Sequence, residues 1–104
     1  MAIINGTDEG FEKEVSEGIT FVNFSAPWCG PCKMMAPSLE ALSEELEGKV
    51  KFVKINVDDH QKTASSLKVR GIPAFFVYKD GEMIENFVGY NSKDQLENQI
   101  TKHL

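Results

Sequence analysis

Residues 19–57, ITFVNFSAPWCGPCKMMAPSLEALSEELEGKVKFVKINV, decide the fold. Ile19 to Phe24 is an almost continuous apolar run, the pattern of a central strand buried on both faces. Cys29 to Glu47 then reads as a long helix, because Met35, Leu39, Leu42 and Leu46 recur at spacings of four, three and four. Pro37 falls inside this pattern and predicts a kink near Lys33 to Ala36. Gly48 stops the helix, and Val50 to Val57 is the next strand. Two strands joined through a helix in this way pair in parallel by a right-handed crossover.

The flanking residues complete the sheet. Thr7 or Asp8 is expected to cap a first helix, with Phe11 and Val15 on one face and Gly18 at its end. A short strand at Ala2 to Asn5 is a further candidate. Asp58 and Asp59 are placed to cap a short helix running through Ser66 or Leu67. Ala74 to Lys79 and Glu82 to Val88 read as an antiparallel hairpin turned by Asp80-Gly81, with Gly89 ending it. Ser92 and Gln95 form a capping box, and Leu96, Ile100 and Leu104 make the stripe of a last helix. The fold class is therefore α/β, with one mixed sheet of four or five strands flanked by four helices.

The 104 residues suffice for a single domain spanning 1–104, and a hydrophobic content of 41% supports a packed core. The net charge is −5 and the basic residues are scattered, which argues against nucleic acid or an anionic membrane as a partner. No apolar run approaches the ~20 residues that span a bilayer. The N-terminus lacks the basic start of a secretory signal, so a soluble, cytoplasmic protein is expected.

The two cysteines, Cys29 and Cys32, stand just past the end of the Ile19 to Phe24 strand, where sites collect in open α/β sheets. At i and i+3 they share one face of a starting helix. Three readings follow: redox chemistry, metal binding, or a structural staple. A staple is disfavoured in a reducing cytosol, and so short a loop restricts the unfolded chain little. A structural zinc site usually needs four ligands, whereas a second CxxC is absent. His60 and His103 lie far from the pair and read as surface residues. Redox chemistry fits best. At the cap position Cys29 would meet orphan N–H groups and the positive end of the helix dipole, which stabilise a thiolate. Cys32, one turn in, is expected to be better shielded. Cys29 would attack a partner disulfide and Cys32 would resolve the mixed disulfide. Pro31 stiffens the Gly30-Pro31 loop and Lys33 adds positive charge.

Phe24 to Lys33 with Pro37, then Lys54 to Asp58, Val69 to Ala74, Gly81 and Gly89, make the chain resemble the thioredoxin family over nearly its whole length. The resemblance implies the thioredoxin fold and a protein-disulfide reductase, itself recharged by a thioredoxin reductase. It implies no cofactor beyond the Cys29–Cys32 redox disulfide. Cys29 would be the nucleophile and Cys32 the resolving thiol, in a monomer that meets disulfide-containing proteins. It further implies that Ile72-Pro73 is a cis peptide facing the cysteines. Trp28, Gly71, Ile72, Pro73 and Gly89 would form a shallow apolar contact surface, where substrate backbone pairs as a short added strand.

Two positions depart from the family pattern. Ala74 stands where threonine is common, and Asn23 stands where thioredoxins usually carry a buried aspartate. Asn23 alternates with Phe21 and Ser25, so burial as a hydrogen-bonded core amide is expected. An amide neither takes nor returns a proton at any relevant pH. Cys32 would then be deprotonated by water, by the leaving thiolate, or by Lys54 in its neutral form. Three other readings remain at this level. An oxidase or isomerase is disfavoured by the Gly-Pro loop, since isomerases of the superfamily tend to carry histidine there. A binding module on the same fold, with weak or specialised redox activity, is kept open by Asn23. The third is metal binding.

Overall fold

The structure, a computed structural model, describes residues 2–104. Nine elements follow along the chain. They are β1 (Ile3–Asn5), α1 (Phe11–Glu14), β2 (Ile19–Ser25), α2 (Gly30–Glu45), β3 (Val50–Asn56), α3 (Gln61–Ser66), β4 (Ala74–Lys79), β5 (Glu82–Val88) and α4 (Lys93–Thr101). The strands form one sheet in the order β1-β3-β2-β4-β5. β1, β3 and β2 run parallel, whereas β4 pairs antiparallel with both β2 and β5. The expected mixed sheet is thus present with its fifth strand.

Strand alternation sorts the core into two layers. Phe21, Phe52, Phe75 and Val77 point to one face and pack against Met35, Leu39 and Leu42 of α2 and Leu96 and Ile100 of α4. Val22, Phe24, Val53 and Phe76 point to the other face, with Phe11, Val15 and Ala64 from the α1 and α3 side. β2 lies at the centre, and six of its seven residues are buried, which explains its unbroken apolar reading. Asn23 shares the α2 face with Phe21 and is 5% exposed.

The hairpin follows its turn chemistry. Asp80 (φ 50°) and Gly81 (φ 88°) both adopt the left-handed backbone of a tight hairpin turn. The Asp80 carboxylate also accepts the Gly18 N–H at 2.8 Å, which pins the hairpin to the loop before β2. The Ser92–Gln95 capping box starts α4.

Helix starts differ from expectation in two places. The first helix is one turn, with Gly10 rather than Thr7 or Asp8 at its cap position, and it closes at Val15, short of Gly18. Thr7 instead accepts the Gly10 N–H at 2.9 Å in the preceding turn. Asp8 reaches across to α3, where its Oδ1 accepts Thr63 N–H and Oγ–H at 2.9 and 2.7 Å and its Oδ2 accepts Lys62 N–H at 3.2 Å. Asp58 and Asp59 do not cap α3. His60 holds the cap position without a side-chain capping bond, and Asp8 takes the Lys62 and Thr63 donors in its place. α2 starts and ends within the expected span, with Pro37 inside it and Leu46 at its C-cap.

Candidate active site

α2 begins at the cysteine pair. Cys29 is its N-cap, with extended backbone (φ −82°, ψ 110°), and the Cys32 N–H donates to Cys29 Sγ at 3.2 Å. A cap side chain ordinarily supplies an oxygen for this donor, and here a sulfur does so. Pro31 costs nothing in the first turn, since its missing N–H has no intrahelical partner there. That turn carries no acidic residue, and Lys33 follows it. Backbone N–H, helix dipole and local charge therefore all favour negative charge on Cys29 Sγ. The two cysteines are joined as a disulfide, with Cα atoms 5.3 Å apart.

Burial reverses one expectation. Cys29 is 4% exposed, while Cys32 is half-buried and the less shielded of the two. The reason lies under the first turns of α2. β2 and β3 present Asn23, Ser25, Lys54 and Asn56 beside the apolar Phe21, Phe52 and Val53 here, and open space remains between them and Cys32. One cavity of about 110 Å³ is lined by Cys32, Asn23, Ala36, Glu40 and Lys54 among others. A second, of about 360 Å³, is lined by Cys32, Lys33, Ala36, Lys54 and Asn56 with the 25–27 stretch. Both hold room for several waters.

Asn23 and Lys54 are register partners on β2 and β3. The Asn23 Nδ2 donates to the Phe24 carbonyl at 3.3 Å and to the Ala74 carbonyl at 3.5 Å. Both bonds are long, so the buried amide is held loosely against two acceptor oxygens. Lys54 is exposed.

The proposed contact surface is partly assembled. Trp28 is 67% exposed, and its indole N–H donates to Asp58 Oδ2 at 3.0 Å. Trp28, Val57, Val69, Gly71 and Ile72 line one shallow groove. The Ile72–Pro73 peptide is cis. Pro73 itself is buried, and its carbonyl accepts the Gly89 N–H at 2.8 Å, tying the start of β4 to the end of β5. Gly89 needs its φ of 101°, which a side chain would strain. Gly30 and Pro31 are exposed at the tip.

Two residues of this surface escaped the sequence reading. Asp58 looked like a helix cap and instead fixes the Trp28 indole. Val88 is 63% exposed, and its Cγ1 lies 3.6 Å from where a side chain on Gly71 would begin. Its signal was a large apolar residue ending an edge strand directly before Gly89. The histidines are half-buried, not fully exposed. His60 Nδ1 accepts the Asp8 N–H at 3.3 Å, and His103 Nε2 lies 3.6 Å from Glu85 Oε1. Among the described residues, no group of three or more His, Cys, Asp or Glu is arranged to hold a metal ion.

The family model described as Thioredoxin matches residues 2–102. The chain is 50% identical to the thioredoxin of Bacillus subtilis (strain 168) over 104 residues, covering all of both chains. It is 43% identical to the thioredoxins of Staphylococcus saprophyticus and Staphylococcus aureus, again over the full length of each. The chain belongs to the thioredoxin family. It has the thioredoxin fold, and its Cys29–Cys32 pair makes it a thiol–disulfide oxidoreductase that acts as a protein-disulfide reductase. As in other thioredoxins, the redox group is the disulfide of the chain itself, with no separate cofactor. Family membership and the paired cysteines together do not favour the binding-module reading, even with Asn23 in place. No helix among the described residues is long and apolar enough to cross a membrane.

Proposed function

We propose that Cys29 is the attacking thiol and Cys32 the resolving thiol of a general protein-disulfide reductase working in the cytoplasm as a single-domain monomer. The observation that carries the assignment is the Cys32 N–H aimed at Cys29 Sγ at the start of α2. It favours the thiolate on Cys29 and gives Cys32 no equivalent donor. In the first step the Cys29 thiolate bonds to one sulfur of a partner disulfide, and the other partner sulfur leaves as a thiolate. In the second, the Cys32 thiolate attacks Cys29 Sγ and the partner's remaining sulfur departs. Two electrons have then passed to the partner, and the chain is left with its own disulfide. A thioredoxin reductase returns it to the dithiol.

Trp28, Gly71, Ile72, Val88 and Gly89 form the apolar surface that receives the partner, with Pro73 shaping it from beneath. Gly30 and Pro31 hold the turn, and Lys33 contributes charge. Asn23 carries no proton, so the Cys32 proton leaves by the water-sized spaces it shares with Lys54.

Catalysis of insulin reduction by dithiothreitol tests the assignment. Wild type should turn over and Cys32→Ser should stall as a mixed disulfide. Full turnover by Cys32→Ser would refute the resolving role. Asn23→Asp in the same assay tests the proton route. An unchanged rate and pH profile would mean that position 23 takes no part in it.

A further inference from the structure

A second groove lies on the far side of the 67–71 loop from Trp28. β4 forms its floor through Ala74 and Phe76, and the loop forms one wall. Met83, Asn86 and Val88 of β5 form the other. Its volume is about 330 Å³. A register shift opposite Val77 and Tyr78 shapes that wall. Val77 pairs with Glu85 but Tyr78 pairs with Met83, so β5 carries one extra residue there. Without it, Met83 would point with Glu85 and Phe87 toward the α4 face. With it, Met83 joins Asn86 and Val88 on the α3 face, and the Asn86 Nδ2 donates to Met83 Sδ at 3.6 Å. The bulge thus builds a wall whose apolar members stay open to solvent, Met83 at 41% and Val88 at 63% exposed.

Charge and backbone point to one kind of occupant. The groove is lined by Lys68 and Arg70 and by no acidic residue, in a chain of net charge −5. Both cations are exposed, and neither is in a salt bridge among the described residues. β5 is an edge strand, hydrogen-bonded to β4 alone, so its outer main-chain groups are open to an added strand. Val69, Arg70 and Gly71 line this groove and the Trp28 groove alike, so one extended segment can cross both.

We propose that this groove docks an extended acidic segment of the protein being reduced, anchored by one large apolar side chain against Phe76 and Met83. The proposal rests on the reductase reading and adds a substrate class to it: protein disulfides that have an acidic, apolar stretch beside the cysteine. Lys68 and Arg70 supply charge complementarity, and residues of the segment beyond the groove can pair with the open edge of β5.

The first test titrates isotope-labelled full-length chain, in the disulfide form, with a cysteine-free peptide holding a central Phe between glutamates. Amide shifts at 67–70 and 83–88 are expected. They should vanish with the lysine version of the peptide and weaken with Lys68→Glu. Shifts confined to Trp28 and Ile72, or equal binding of the lysine peptide, overturn the proposal. The second test joins the two peptides to a cysteine disulfide and compares kcat/KM with that for hydroxyethyl disulfide, a small neutral substrate. The acidic peptide should gain about tenfold over the basic one, since the two share the phenylalanine and differ only in the charge they set against Lys68 and Arg70. Lys68→Glu should remove most of that ratio, and an unchanged ratio refutes the docking role. Should wild type fail on every disulfide, hydroxyethyl disulfide included, the reductase reading falls, while the titration still decides the groove.

Discussion

Asn23→Asp puts a carboxyl where the structure has no use for a charge. The site is 5% exposed, and the present amide donates to two carbonyl oxygens. A protonated carboxyl can replace one of these bonds, so the variant should match wild type in acid. Once ionised, the same group faces two acceptors and loses its hydration. Full burial raises a carboxyl by up to ~3–5 pH units; water in the adjoining cavity and nearby Lys54 reduce that here to about 2–3. At 1.36 kcal/mol per unit, the folded state loses about 3–4 kcal/mol. The sign follows from linkage. The folded group titrates above its unfolded value of about 3.9, so the native state binds more protons between the two and stability falls as pH rises through that window. Above the folded value the penalty is constant. Urea unfolding of the disulfide form should show nearly coincident midpoints for variant and wild type near pH ~4. Near pH ~8 the variant's midpoint should fall by about 1.5–2 M, taking a slope of about 2 kcal/mol/M. A difference that does not change with pH would refute the reasoning, because only ionisation of the new group distinguishes the two conditions.

The same substitution bears on redox poise. An ionised carboxylate under Cys32 disfavours the thiolates of the reduced form, so Asn23→Asp should shift the midpoint potential of the pair to more negative values, by about 10–30 mV at alkaline pH. A glutathione redox titration giving a higher potential would overturn this. Asp8→Ala should lower the urea midpoint at neutral pH by uncapping α3. Burial pushes the Asp8 carboxyl up, but the Thr63 and Lys62 hydrogen bonds hold it below its usual value. Its contribution is therefore present above the unfolded pKa and lost as pH falls through the folded one, so the gap to wild type should close in acid. Gly6→Ala should destabilise by about 1–3 kcal/mol, since a Cβ there would sit 2.6 Å from Val53 Cγ1 and 3.0 Å from Ile55 Cγ1. Wild-type stability in that variant, measured by chemical unfolding, would show that β3 yields more easily than its packing implies.

Strands and long helices were legible because their signals are local and repeated. β2 and the β4–β5 hairpin stand almost where their apolar runs and the Asp80-Gly81 turn place them. Caps were less legible. A free N–H at a helix start donates to any well-placed oxygen, and for α3 that oxygen comes from Asp8, more than fifty residues away. Asp58 looked like a cap and holds Trp28 for the same reason: proximity in space, not along the chain. The relative burial of the cysteines is not legible along the chain because it depends on what β2 and β3 present beneath α2.

The sequence by itself determined the reaction, because a thiol pair with two residues between is a short-range chemical fact at a predictable strand-to-helix junction. It also determined the missing carboxylate, since Asn23 is a matter of residue identity. Only the tertiary structure decided how open Cys32 is, which aspartate serves which partner, and that an extra residue in β5 turns Met83 toward Lys68 and Arg70. These depend on distances between segments remote in the chain, which packing sets and local pattern does not encode.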